Sequence, residues 1–82
     1  MNPGHPADSI LSQHVRAALR DYFTQLDGHG ATGLYAMVLS EVEHPLIETV
    51  LEQCDRNQSK AAQTLGLSRS TLRKKMTQYG IE

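Results

Sequence analysis

Apolar residues recur at steps of three and four through the first third of the chain: Leu11, Val15, Ala18, Leu19, Tyr22, Phe23 and Leu26. That spacing puts them on one face of an α-helix. Asp8 or Ser9 is placed to cap it, and the run DGHGATG over 27–33 predicts a loop. The period returns from Leu34 to Cys54, where Tyr35, Val38, Leu39, Val42, Leu46, Thr49 and Val50 share one face. Glu41, Glu48, Glu52 and Asp55 fall on another. Pro45 lies inside this second helix. It cannot donate to the Glu41 carbonyl and crowds the preceding turn, so the sequence predicts a kink there.

The last stretch reads NQSKAAQTLGLSRSTLRKKMTQYGIE, residues 57–82. Asn57 suits the N-cap of a short helix reaching Leu65. Gly66 fits the left-handed position after its end, and Leu67 is expected to enter the core. Ser68 then caps a last helix from Arg69 to Tyr79, stopped by Gly80, with Leu72, Met76 and Tyr79 on its buried face. Small Ala61 and Ala62 suit the point where the two short helices cross. Two short helices joined by a tight glycine-containing turn form a helix-turn-helix. The expectation is an all-α subunit of four helices. Residues 1–8, with Pro3, Gly4 and Pro6, form a short disordered tail; 9–55 form a dimerisation region with the kinked helix; 56–82 form the helix-turn-helix.

Size explains the expected dimerisation. A chain of 82 residues makes one domain, and a globule of this class buries only about 60% of its unfolded surface. The single cysteine, Cys54, excludes an internal disulfide, and no paired Cys/His spacing suggests zinc. Extra stability is therefore expected from a second copy. Two helices with wide apolar stripes leave surface to spare, and a two-fold dimer is the commonest way to cover it. Val15, Leu19, Tyr22, Phe23, Tyr35, Val38, Val42 and Leu46 are the expected interface. No apolar run approaches the roughly 18 residues of a membrane span. The start MNPGHPADS lacks a basic segment followed by an apolar one, so a cytoplasmic protein without signal peptide is expected.

The net charge of −1 hides a division along the chain. Arg16 and Arg20 stand against eight acidic residues before position 56, whereas Arg56, Lys60, Arg69, Arg73, Lys74 and Lys75 follow with only Glu82 opposed. Such asymmetry points to a polyanion partner for the basic part. On a helix-turn-helix the start of the second helix reads base edges in the major groove. Arg69 is placed there, with a fork that matches guanine O6 and N7. Ser70, Arg73, Lys74 and Thr77 point away from the Leu72–Met76–Tyr79 face; Arg73, Lys74 and Lys75 suit phosphates. Asn57, Gln58 and Ser59 open the preceding helix, whose free N–H groups suit another phosphate.

Catalytic chemistry finds no support in the pattern. His5, His14, His29 and His44 share no ligand spacing, and no cofactor or metal is expected. Cys54 ends an apolar face and reads as a small core residue. Ser68, Ser70 and Thr71 sit in capping context rather than a nucleophile elbow. Glu41, Glu43 and Glu48 read as a solvated or inter-subunit face.

The segments LRDYFTQLDG (19–28), LYAMVLSEVEHPLIETVLEQC (34–54) and the helix-turn-helix run 57–82 resemble the family of the bacterial factor for inversion stimulation, Fis. These are nucleoid-associated transcription regulators, and the resemblance spans residues 11–82. The helix-turn-helix alone also resembles the DNA-binding tail of nitrogen-regulation type activators. The block LYAMVLSEVEHPL favours the stand-alone family. The resemblance implies an intertwined homodimer bound to double-stranded DNA in the nucleoid, with RNA polymerase as a further partner. Its recognition helices would stand closer than one repeat of straight B-DNA, so the duplex must bend and its central minor groove narrow. Sites would be degenerate, A·T-centred and read largely by shape. Arg69 matches the family's base-contacting arginine; Asn57, Ser59, Thr71, Arg73, Lys74 and Lys75 match backbone or groove-rim residues. Ser68 occupies a base-edge place often held by Asn, a departure from the family's pattern. Thr77 and Gln78 replace frequent lysines, implying fewer outer phosphate contacts. Residues 1–8 lack the strand alternation of the family's invertase-touching arm, so invertase activation is not expected. The competing readings are a DNA-binding domain of a larger activator, and a helical module whose basic end meets an acidic protein or RNA.

Overall fold

The computed structural model describes residues 9–26 and 32–82. Four α-helices run in chain order: α1 (Ile10–Leu26), α2 (Leu34–Gln53), α3 (Gln58–Leu65) and α4 (Arg69–Tyr79). No strand occurs among the described residues. All four boundaries follow the sequence pattern closely. The expected tail over 1–8 and most of the loop over 27–33 lie outside the described residues, as do His5 and His29.

The chain divides into two units, Met1–Thr32 and Gly33–Glu82. The first holds α1. Ser9 caps it, its Oγ accepting from the Ser12 N–H at 3.0 Å. The Ser12 hydroxyl returns a bond to the Ser9 carbonyl at 3.1 Å. Val15, Leu19, Tyr22 and Leu26 are half-buried, while Leu11 and Phe23 are exposed. The rings of Tyr22 and Phe23 meet edge to face, centroids 5.9 Å apart.

The second unit builds its core from three helices. Ile47, Leu51 and Cys54 come from α2, Ala61 and Ala62 from α3, Leu72 and Met76 from α4. α3 packs on α2 and α4 on α3. The two alanines allow that close stacking, since a small side chain lets helix axes approach. Val50, Leu65, Tyr79 and Ile81 close the margins. Cys54 is a buried free thiol whose Sγ lies 3.7 Å from the Thr64 hydroxyl. It behaves as the core residue its position predicts.

Two expectations require correction. Leu67 was expected in the core, but it is only half-buried and does not join the cluster. Its backbone is committed instead, because its N–H reaches back to the Ala62 carbonyl at 2.9 Å to close the end of α3. The apolar face predicted for α2 is also incomplete. Ile47 and Leu51 are each 1% exposed, whereas Tyr35, Leu39, Val42 and Leu46 stand open. α2 is apolar on two sides, and a single stripe describes only one. Helical structure continues through Pro45, which sits on the exposed surface.

Candidate nucleic-acid interface

The turn between α2 and α3 sets where the helix-turn-helix begins. Asp55 and Arg56 both take left-handed conformations, with φ 54° and 64°. For residues with a Cβ this costs about 1–2 kcal/mol each. Hydrogen bonds offset part of that cost: the Arg56 N–H meets the Leu51 carbonyl at 2.8 Å and the Asp55 N–H meets Glu52 at 3.1 Å. The Leu51 and Glu52 carbonyls near the end of α2 are thereby satisfied. The Arg56 guanidinium also donates to the Glu82 carbonyl, tying this turn to the chain's end.

Asn57 then caps α3, its Oδ1 accepting from the Lys60 N–H at 3.1 Å. Ser59 lies exposed in the first turn. Gly66 ends the helix at φ 76°. Its N–H bonds the Gln63 carbonyl at 3.2 Å, paired with the Leu67 bond to Ala62. The end of α4 repeats the arrangement: Gly80 bonds Thr77 at 3.2 Å and Ile81 bonds Met76 at 2.8 Å.

Ser68 organises the entry to α4. Its Oγ accepts from the Thr71 N–H at 3.1 Å. The same hydroxyl donates to the Thr71 Oγ1 at 2.8 Å, and the Ser70 hydroxyl lies 3.2 Å away. Ser68 and Thr71 are thus held against each other where the helix begins. The positive end of the helix dipole lies here.

The exposed side of α4 presents Arg69, Ser70, Arg73, Lys74, Thr77 and Gln78. Arg69 and Arg73 stand one turn apart and line an open hollow with Ser70. Among the described residues, no ion pair engages Arg69, Arg73 or Lys74. Unneutralised cations in a row beside a helix N-terminus make an anion-binding face. Thr77 turns its hydroxyl to the Arg73 carbonyl at 3.1 Å, within its own helix.

Lys75 does not join that row. Its Nζ lies 2.8 Å from Glu43 Oε2 on α2, with both side chains about 30% exposed. Glu43, read from the sequence as part of a solvated or inter-subunit face, is paired within the chain; it also accepts from the Tyr79 hydroxyl at 2.5 Å. Those bonds, that from Lys75 foremost, hold the Glu43 carboxyl below its ordinary pKa. The same bond to Glu43, with some burial, pushes the Tyr79 phenol above its ordinary value. His44 stacks on the Tyr79 ring at 5.5 Å with planes 7° apart, and its Nε2 lies 3.4 Å from Glu48. Reading one stripe along α2 missed this cluster. The available signal was the four-residue step from Glu43 through Ile47 to Leu51, which places the acid on the buried ridge.

The expected dimer residues on α2 lie away from that ridge. Tyr35 is 79% exposed, and Val42 and Leu46 are both above 40%. With Leu39 they follow steps of four, three and four, the spacing of a coiled-coil seam. Val38 is half-buried beside them.

Comparison with known proteins bears on this geometry. The profile described as "Bacterial regulatory protein, Fis family" matches residues 38–79, from within α2 to the end of α4. The chain is 52% identical over 71 residues to the "DNA-binding protein Fis" of Actinobacillus succinogenes, covering 87% of this chain and 72% of that one. It is also 52% identical over 71 residues to a "Putative Fis-like DNA-binding protein" of Neisseria meningitidis serogroup A, covering 87% and 90% of the two chains. For the "DNA-binding protein Fis" of Mannheimia haemolytica the identity is 48% over 71 residues, with coverage of 87% and 72%.

Proposed function

Because this chain belongs to the Fis family of bacterial regulatory proteins, we propose that it is a homodimeric DNA-binding and DNA-bending transcription regulator of the nucleoid. The observation that carries this reading is the row Arg69, Arg73 and Lys74, exposed and without an ion pair among the described residues, on a helix whose start is fixed by Ser68. α4 enters the major groove N-terminus first. Arg69 reads a base edge, preferably guanine, because its fork meets O6 and N7 together. Arg73 and Lys74 meet phosphates on the groove wall, where charge matters more than geometry. Asn57 and Ser59 bring the start of α3 to a neighbouring phosphate. Thr71 and Ser68 support the entry turn and present hydroxyls to the groove rim. Lys75, also matched to the backbone-contacting set, is paired with Glu43 in the free protein.

The exposed α2 seam of Tyr35, Leu39, Val42 and Leu46, with Val38, forms the two-fold contact, joined by Val15, Leu19, Tyr22 and Phe23 of α1. Covering this surface removes apolar area from water, at about 25 cal/mol per Å². A bend of α2 at Pro45 would help set the dimer's geometry. Two recognition helices in one rigid dimer select duplexes that deform to meet both, so specificity follows shape as well as base contacts. The role is binding rather than catalysis, and as a regulator it meets RNA polymerase at promoters.

Fluorescence polarisation against an A·T-centred duplex, a single strand and an RNA hairpin tests the reading. The duplex should bind tightest, with log K falling against log salt at about −0.9 per phosphate neutralised. Equal affinity for all three would remove the shape-reading mechanism and favour a general polyanion or protein-interaction module.

A further inference from the structure

The apolar core holds α4 along one ridge. Leu72 and Met76 are its buried anchors, and α3 supplies most of the packing. Apolar contact is non-directional, so a single ridge resists separation better than it resists rolling or tilting. Hydrogen bonds are directional. The polar contacts of α4 with the acidic part of α2 are of that kind and lie at one place. Lys75 and Tyr79, one turn apart on α4, both bond Glu43, at 2.8 Å and 2.5 Å. His44, next to Glu43, lies flat on the Tyr79 ring. Tyr79 is therefore gripped by its hydroxyl and by its ring face from neighbouring residues of α2.

The position of this clamp matters. It holds the C-terminal half of α4, whereas Arg69 and Arg73 project from the other half. Loosening one end of a rigid eleven-residue helix redirects the other. α2 also carries the exposed seam Tyr35, Leu39, Val42 and Leu46. The clamp thus joins the recognition helix to the element that would carry the two-fold contact.

We infer that Glu43 is a positioning residue: by holding Lys75 and Tyr79 it fixes the tilt of α4 on α2, and so the separation at which a dimer presents its two recognition helices to DNA. This rests on the dimeric, DNA-bending reading given above. Glu43 touches no DNA in this account. It governs how strictly the protein discriminates between duplexes whose half-sites lie at different separations. The same pairing commits one basic residue of α4 to an intramolecular contact.

Two measurements on the full chain test the inference, using wild type, Glu43→Ala, Tyr79→Phe and the double variant. Residual dipolar couplings of the free protein report the orientation of α4 against α2 without DNA. In both single variants the α4 couplings should shift or shrink while those within α2 stay in place. Binding is then measured on duplexes whose half-site separation changes one base pair at a time. Wild type should show a sharp optimum, and each variant a flatter profile with its best-to-worst ratio reduced several-fold. The double variant should go no further than Glu43→Ala, because both act through one contact. Helicity, melting and light scattering confirm folded dimers, and Tyr79→Phe, which loses only a hydroxyl, serves if Glu43→Ala unfolds. Unchanged couplings, or variant profiles that superimpose on wild type, overturn the inference and leave the DNA-bending reading standing. A wild type that is monomeric, or indifferent to separation, overturns that reading and the inference with it.

Discussion

Tyr79, near the end of the last helix, donates its hydroxyl to Glu43 on the second at 2.5 Å, across 36 residues of sequence. The bond ties α4 to α2, and it couples this contact to pH.

Glu43 is held below its ordinary pKa, chiefly by the Lys75 bond and then by Tyr79. A carboxylate lowered in the folded state contributes stability that is full above its unfolded pKa and lost as pH falls through the folded one. Tyr79 is raised, chiefly by its bond to Glu43. Its contribution is full below the unfolded pKa and lost as pH rises through the folded one. The clamp is therefore intact across the neutral range and weakens in acid, below the ordinary carboxylate range, and in alkali, above the ordinary phenol range. Thermal melts of wild type and Glu43→Gln should differ by a constant Tm gap near neutrality that closes on acidification. A gap unchanged into strong acid would show that Glu43 carries no such linkage.

Arg69 and Lys74 should separate base reading from phosphate attraction. Arg69→Ala should cost about 1–3 kcal/mol on a preferred site and flatten the preference among sites. Lys74→Ala should weaken all duplexes alike and reduce the salt slope by about 0.9. Titrations of matched and altered duplexes at several salt concentrations check both. An Arg69→Ala protein that keeps its site preference would mean another part of α4 enters the groove.

Gly66 should prove a conformational requirement rather than a packing one. Its φ is 76°, and a Cβ built there meets nothing within 4 Å. Gly66→Ala should therefore lower stability by about 1–2 kcal/mol through backbone strain alone, with helicity and dimerisation retained. Denaturant unfolding measures it, and a neutral effect would mean the turn relaxes to another conformation.

Leu39 lies at 46% exposure in the middle of the open seam on α2. Leu39→Arg places a charge where the second copy should pack and costs little in the isolated subunit. Light scattering should show a shift to monomer together with a loss of DNA binding. A stable dimer with this substitution would place the two-fold contact elsewhere.

Much of the fold was legible because helix ends are written in local chemistry. Asn57, Gly66, Ser68 and Gly80 each announce a boundary through a cap or a left-handed φ, and each occupies the predicted position. The exposed row of Arg69, Arg73 and Lys74 was legible for a related reason: Leu72, Met76 and Tyr79 define the opposite face. The second face of α2 was not. The stripe of Tyr35, Leu39, Val42 and Leu46 leaves out Ile47 and Leu51, which are α2's most deeply buried residues. Nor does spacing along α4 reveal that Lys75 faces an acid on another helix. The step from Glu43 to Ile47 and Leu51 marks the acid, but its pairing with Lys75 depends on how α3 stacks the two helices.

The central claim is that a dimer of this chain binds duplex DNA and bends it. Circularly permuted A·T-centred duplexes, run as a gel shift beside light scattering of the same protein, test it most directly. The account predicts a dimer whose complexes change mobility with the position of the site, slowest when it lies at the centre. A monomer, or a complex whose mobility ignores site position, would contradict it.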